Sequence, residues 1–271
     1  MLKVLSSFHQ RVVISVGGIE RTALVYKPLS GGGSLPPVVL FHGAGGTAEW
    51  ALQETRFTEL ADRKDVSVIL PEGLARNPHR PPKFLTNPQE WNDGSGRGSA
   101  DDVAFLNELL DYLQIDRVNL TGFSNGAGMA FRYAAEQSER VIALAAVAGH
   151  CHMTTHIVRP MPSWYIVGTA DPIIPLSGGS ARTPWGLVHD RPSVLQTVRR
   201  WAEMLGCHSL PEILTDWSCG LFKVTLLHGQ GHHWPAGEGR MGEKLGGPHL
   251  SHFDASREII QFFQQVYQST S

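Results

Sequence analysis

A chain of 271 residues is long enough to bury one large core, and its 23 Lys and Arg against 25 Asp and Glu leave a formal charge of only −2. That balance argues against nucleic acid or an acidic surface as a partner recognised by bulk charge, and no apolar run reaches the length of a membrane span. Three cysteines, an odd number, do not make a disulfide framework, although Cys207 and Cys219 flank a short segment and are able to pair.

Met1–Gln10 lacks the apolar core of a secretion signal, so the expectation is a cytoplasmic protein if the chain is complete and an extracellular one if it is a processed form. Arg11–Val16 and Arg21–Tyr26 have strand patterns, and Gly17-Gly18 between them signals a hairpin. Residues 30–37, rich in Gly and Pro, are expected to form a surface loop. Val38–Phe41 is wholly apolar, as suits a strand buried on both faces, and runs into His42-Gly43-Ala44-Gly45-Gly46. A helix capped by Thr47 is expected over Ala48–Arg63, then a buried strand over Val66–Leu70. Residues 71–98 hold five prolines and little periodicity, and a long irregular stretch inside a compact domain is usually functional or disordered. Ser99-Ala100-Asp101-Asp102 has the shape of a capping box opening a helix whose apolar face is Val103, Leu106, Leu110 and Leu113. Asp101 and Asp102 are therefore read as helix-capping and dipole-complementing groups in preference to catalytic acids.

Arg117–Thr121 is the next strand, and Gly122-Phe123-Ser124-Asn125-Gly126 follows it directly. Beyond it Met129, Ala130, Tyr133 and Ala134 recur at helical spacing. Ser124 thus sits where a strand turns sharply into a helix, with glycine two residues to either side, which is the pattern of a nucleophile elbow. A Gly-flanked serine helix cap is the plainer alternative. Val141–Val147 and Trp164–Val167 are further strands, the latter ending in Gly168-Thr169-Ala170-Asp171-Pro172. Residues 177–190 form a Gly-rich loop, and Val194, Leu195, Val198, Trp201, Ala202 and Leu205 define an amphipathic helix closed by Gly206. Phe222–Leu227 is the last strand and leads into Gly229-Gln230-Gly231-His232-His233-Trp234-Pro235. A final helix carries Ile259, Ile260, Phe263, Val266 and Tyr267. Strands alternating with helices imply an α/β fold in one domain, 1–271, with a mostly parallel sheet covered on both faces and an antiparallel N-terminal edge.

A serine hydroxyl needs a base in reach, and the base needs an orienting acceptor. In the order Ser, acid, His, Asp171 ends a strand after Ser124, and His232 follows the last strand. Asp190 and Asp216 are the weaker acids, and His233 is the rival base. The two amides of an oxyanion hole are assigned to Asn125 and Ala44, with Gly45 as an alternative to Ala44. Trp234 is expected to wall the base or to sit in the core. Gly149-His150-Cys151-His152, with His156, looks like a ligand cluster but lacks any C-x-x-C or H-E-x-x-H, and no metal is expected.

These motifs, together with Trp91-Asn92-Asp93 leading to Asp101-Asp102-Val103-Ala104-Phe105-Leu106, Trp201-Ala202 with Gly206-Cys207, and Gly231-His232 with Trp234-Pro235, resemble the poly-hydroxybutyrate depolymerase and feruloyl esterase group of the α/β-hydrolases, in order from about residue 8 to residue 266. The resemblance implies an α/β-hydrolase fold and a serine carboxylic ester hydrolase that works without a cofactor on a small or polymer-derived ester. It implies Ser124 as nucleophile, Asp171 as acid and His232 as base, with His42, Trp91 and Trp234 near the substrate. It also implies a Cys207–Cys219 disulfide, as in secreted members. The chain departs from the pattern in showing no signal peptide, so compartment and pairing stay open, as does oligomeric state. It also shows no polymer-binding module, which argues against attack on solid polymer. An acetyl or general short-chain esterase is the alternative. A peptidase on this fold usually has an extra domain, and a non-catalytic binding protein would lack a triad member, whereas none is missing here.

Overall fold

The computed structural model describes residues 9–28, 33 and 35–270. Met1–Phe8 and half of the expected loop over 30–37, residues 30–32 and 34, lie outside the described residues.

The first elements are β1 (His9–Val16) and β2 (Ile19–Tyr26), joined at Gly17-Gly18, both with positive φ. Then come β3 (Val38–Phe41), α1 (Ala48–Thr55), α2 (Phe57–Lys64), β4 (Val68–Pro71), and two short strands, β5 (Leu74–Ala75) and β6 (Gln89–Glu90), which pair across the irregular segment. The middle of the chain is α3 (Asp102–Tyr112), β7 (Val118–Phe123), α4 (Asn125–Glu136), β8 (Val141–Val147) and β9 (Ser163–Gly168). It continues through the ribbon β10 (Gly179–Arg182) and β11 (Val188–Arg191), α5 (Val194–Met204), β12 (Trp217–Cys219), β13 (Phe222–Leu227), the single turn α6 (Glu243–Gly246) and α7 (Ala255–Thr270).

Nine strands form one sheet in the order β1-β2-β4-β3-β7-β8-β9-β13-β12. The central strands β4 to β13 are parallel, and β3, β4, β7 and β9 are buried along their whole length, which is why they read as unbroken apolar runs. One face packs on α3, α4 and α5 through Leu106, Leu110, Phe131 and Trp201. The other packs on α1, α2 and α7 through Ala51, Phe57, Ile259 and Phe263. Because these strands run parallel, their C-termini lie along one rim of the sheet, where ligands bind in such folds.

The architecture differs from expectation in four places. The helix expected over Ala48–Arg63 is two helices, because Arg56 between them adopts a left-handed conformation (φ 53°) that no helix interior tolerates. The sheet has an antiparallel edge at both ends, since β12 pairs with β13 through a turn at Gly220. The Gly-rich loop 177–190 contains the β10–β11 ribbon. At α3 the cap is Asp101, whose carboxylate accepts the Ala104 N–H at 2.9 Å, not Ser99. Its neighbour Asp102 is fully buried in an ion pair with Arg21 at 2.6 Å and also accepts the Asn92 N–H at 2.7 Å. Cys207 and Cys219 are disulfide-bonded, with a Cα–Cα separation of 6.0 Å, which ties the loop after α5 to β12.

Candidate active site

β7 ends at Phe123 and α4 begins at Asn125, so Ser124 alone makes the turn, with φ 56° and ψ −121°. That region is costly for a residue with a side chain and persists only where neighbours enforce it. The enforcement is steric. A Cβ on Gly122 would lie 2.4 Å from the Gly126 carbonyl oxygen, and one on Gly126 would lie 2.4 Å from the carbonyl oxygens of Phe41 and His42. Backbone packs on backbone at both places, so only glycine fits.

Three side chains from separate strand ends meet there. His232, after β13, approaches the Ser124 Oγ with its Nε2 at 2.9 Å, and its Nδ1 lies 2.6 Å from Asp171 Oδ2, after β9. The other carboxylate oxygen of Asp171 accepts the N–H groups of Ile173 and Ile174 at 2.8 and 2.7 Å, so the turn that Pro172 opens holds the carboxylate still. Asp171 and His232 are both buried. The His232 N–H donates to the Gly246 carbonyl at 2.5 Å, which anchors the loop from below. The rival groups point elsewhere: His233 Nε2 lies 2.9 Å from the Gly247 carbonyl, Asp190 is exposed on β11, and Asp216 accepts the Leu226 N–H.

The amides behave differently along the His42–Gly46 loop. Gly45 donates its N–H to the Gln89 carbonyl at 2.7 Å and Gly46 to the Gly43 carbonyl at 2.9 Å, while the Ala44 and Asn125 N–H groups have no backbone acceptor among the described residues. The Gly45 alternative is thereby spent, and two free donors flank Ser124. The Asn125 side chain is engaged separately. Its Oδ1 accepts the Trp91 N–H at 2.8 Å, and its Nδ2 donates to the Trp91 carbonyl at 3.1 Å and to Asp93 Oδ2 at 2.7 Å. The Trp91-Asn92-Asp93 segment is thus clamped onto the elbow.

His42, Trp91 and Trp234, expected near the substrate, do not border the cavity at Ser124. Each is at most 1 % exposed. Trp91 Nε1 donates to the His42 carbonyl and Trp234 Nε1 to Ser256 Oγ, both at 2.9 Å, because a buried indole N–H must find an acceptor, and each acceptor lies on the core side. His42 Nε2 accepts the Gly73 N–H at 2.9 Å, leaving Nδ1 to donate to the Gly43 carbonyl at 2.8 Å. Burial lowers its pKa to about 4 and keeps it neutral. The ring that does meet the base is Phe123, the variable residue of the elbow, with its centroid 4.8 Å from the imidazole. Trp234 stands behind it.

The cavity holds about 470 Å³ and opens beside Ser124, His232 and Ala44. Trp50, Phe123, Ile173 and Met241 give it apolar walls, and Phe84 and Trp185 meet over it, with centroids 5.4 Å apart and the Trp185 Nε1 donating to the Phe84 carbonyl at 2.6 Å. A Cβ on Gly45, below them, would lie 2.7 Å from Phe84. Sequence reasoning missed Phe84, Trp185, Arg97, Thr183 and Arg191 as wall residues. The one available signal was an aromatic, Phe84 or Trp185, within an irregular Gly- and Pro-containing segment, and in 71–98 Trp91 competed with it. His150 donates or accepts at Thr197 Oγ1 through Nδ1, burial lowers its pKa to about 3, and burial pushes the Cys151 thiol up to about 12, so that segment presents no thiolate. No group of three His, Cys, Asp or Glu suited to a metal occurs among the described residues.

This chain belongs to the alpha/beta hydrolase fold family, whose model matches residues 36–179. It is 29 % identical over 235 residues to "Putative esterase NocK" of Nocardia uniformis subsp. tsuyamanensis, covering 74 % of this chain and 66 % of that protein. It is 32 % identical over 134 residues to the 2-hydroxy-6-oxo-2,4-heptadienoate hydrolase of Pseudomonas putida, covering 48 % and 41 %. The chain therefore spans less than two thirds of the length of either relative. Among solved structures, esterase PE8 superposes with a TM-score of 0.57 at 18 % identity over 89 % of this chain and 97 % of that one. A thermostable esterase gives 0.57 at 15 % over 95 % and 62 %. At such identities these likenesses speak for the fold.

Proposed function

We propose that the chain is one catalytic domain that hydrolyses carboxylic esters through an acyl-enzyme on Ser124. The observation that carries this reading is the unbroken line Asp171 Oδ2–His232 Nδ1 at 2.6 Å and His232 Nε2–Ser124 Oγ at 2.9 Å. Asp171 holds the imidazole in the tautomer with its proton on Nδ1, so Nε2 is free to accept the serine proton. As the Ser124 Oγ–carbonyl carbon bond forms, that proton moves to Nε2, and the carbonyl electron pair moves to oxygen, where the Ala44 and Asn125 amides receive it. The tetrahedral species collapses, the C–O bond to the alcohol breaks, and His232 returns the proton to the leaving oxygen. Water then repeats the sequence on the acyl-enzyme and restores the serine.

A cavity of about 470 Å³ walled by Trp50, Phe84, Phe123 and Trp185 suits a bulky apolar or aromatic group. That supports a feruloyl or hydroxyalkanoate ester over an acetyl ester as substrate, the acetyl and short-chain esters being the alternative. The proposal expects Ser124→Ala to lose turnover of a chromogenic ester by about 10³-fold or more. It also expects a fluorophosphonate probe to label wild type at Ser124 and leave the variant unlabelled. Wild-type turnover in the variant would remove Ser124 as nucleophile, and a wild-type protein that neither labels nor turns over ester would point to a non-catalytic member of the family.

A further inference from the structure

Arg191 closes β11 and borders the cavity beside Ser124, yet it holds nothing. Its Nε is buried and unpartnered, and no carboxylate among the described residues forms an ion pair with it. The nearby acids are committed elsewhere. Asp171 is bonded to His232 and two amides, and Asp93 is bonded to Asn125 and Ser95. A second arginine, Arg97, borders the same cavity. Its one side-chain partner among the described residues, Glu90 Oε1, is 3.4 Å away and is already taken by Arg76 at 2.8 Å. Burial and the Arg97 charge work against the positive charge on Arg191 and outweigh the favourable fields of Asp93 and Asp171, neither of which bonds to it. Thr183 Oγ1 is also buried and unpartnered, and lines the same wall. A recess of about 30 Å³ is bordered by Ser124, Arg97 and Arg191, and by Asp93, whose carboxylate is held by Asn125 and Ser95.

Two arginines bordering one cavity, with buried donors left unsatisfied beside it, are costly in a finished fold. An anion entering the cavity removes the cost. A guanidinium presents its donors as a planar fork, which matches a carboxylate's two oxygens. We propose that the ester taken by this cavity carries a free carboxylate, paired with Arg191 and Arg97, while its apolar body lies under Phe84 and Trp185. This rests on the ester-hydrolase reading of Ser124 and narrows its substrate class.

Two matched pairs of substrates test it: 4-acetoxybenzoate against 4-acetoxybenzamide for a carboxylate on the alcohol side, and mono-4-nitrophenyl adipate against 4-nitrophenyl hexanoate for one on the acyl side. The expected result is a kcat/KM preference of about tenfold or more for the anionic member of at least one pair, expressed mainly in KM. Arg191→Gln should collapse that ratio about tenfold, and Arg191→Lys should keep part of it, since charge without the fork binds less well. Should Arg191→Gln not fold, Arg97→Gln and Arg191→Lys carry the comparison. Calorimetric binding of 4-hydroxybenzoate and adipate to Ser124→Ala, with and without Arg191→Gln, reads the site without any turnover. Neutral-ester hydrolysis with no anionic preference and no carboxylate binding overturns this inference and leaves the ester-hydrolase reading standing. Absence of all ester turnover removes the latter, and the calorimetry still decides whether the arginines hold a carboxylate.

Discussion

His42 accepts the Gly73 N–H at 2.9 Å, and so joins the loop after β3, which carries the Ala44 amide, to the loop after β4. A protonated imidazole has no lone pair for that bond, and burial holds the His42 pKa at about 4. Glu72 lies 3.7 Å from the same ring, and burial raises its pKa to about 7. The two groups work in opposite directions. His42 takes up a proton in the unfolded chain near 6.5 but in the fold only near 4, so its contribution to stability is full above pH 6.5 and falls as pH drops toward 4. Glu72 keeps its proton in the fold up to about 7, so its contribution is full below 4.5 and falls as pH rises through 7. Glu72→Gln removes the second slope. Urea unfolding between pH 4 and 7 should then show stability rising with pH more steeply than in wild type, by about 3 kcal/mol at most. His42→Gln should show a shallower or reversed trend.

Gly126→Ala puts a methyl group against the carbonyl oxygens of Phe41 and His42, which belong to backbone and do not yield. The expected cost is about 3 kcal/mol or more, or outright failure to fold, read from thermal or urea melts. Any folded fraction should lose ester turnover, since the strain relaxes by moving Ser124.

Asp171→Asn keeps an oxygen for the Ile173 and Ile174 amides but turns an N–H₂ toward His232 Nδ1, which reverses the tautomer. The expected loss in kcat is about 10³–10⁴-fold with little change in melting temperature. His233→Gln removes only the contact with the Gly247 carbonyl and should retain most activity. Comparable losses in the two variants would return His233 to contention as the base.

Asn125→Asp replaces the two donors that meet the Trp91 carbonyl and Asp93 Oδ2 with an oxygen facing oxygens. A destabilisation of about 2–4 kcal/mol is expected, partly recovered in Asn125→Asp with Asp93→Asn. Activity should fall together with stability, because the same residue supplies an amide beside Ser124.

The elbow, the order of the three triad candidates and the parallel sheet were all legible in the chain. Each depends on neighbours along it: glycine two places either side of a strained turn, apolar runs of strand length, and helical spacing between them. The roles of His42, Trp91 and Trp234 were not legible. A side chain at a strand end can face the rim or the core, and which one holds depends on acceptors such as Ser256 or the Gly73 amide that lie far off in sequence. The same distance hid the Asp102–Arg21 pair, 81 residues apart, behind an ordinary helix start. It hid β12, three residues with no alternation to show. The arginines at the cavity wall belong to this second kind. Arg97 and Arg191 sit in segments with no periodicity, and only packing of 71–98 against the β10–β11 ribbon turns both toward Ser124. Local sterics and periodicity are written into adjacent residues. The meeting of distant loops depends on how the whole sheet stacks and twists, and no short stretch of sequence records that.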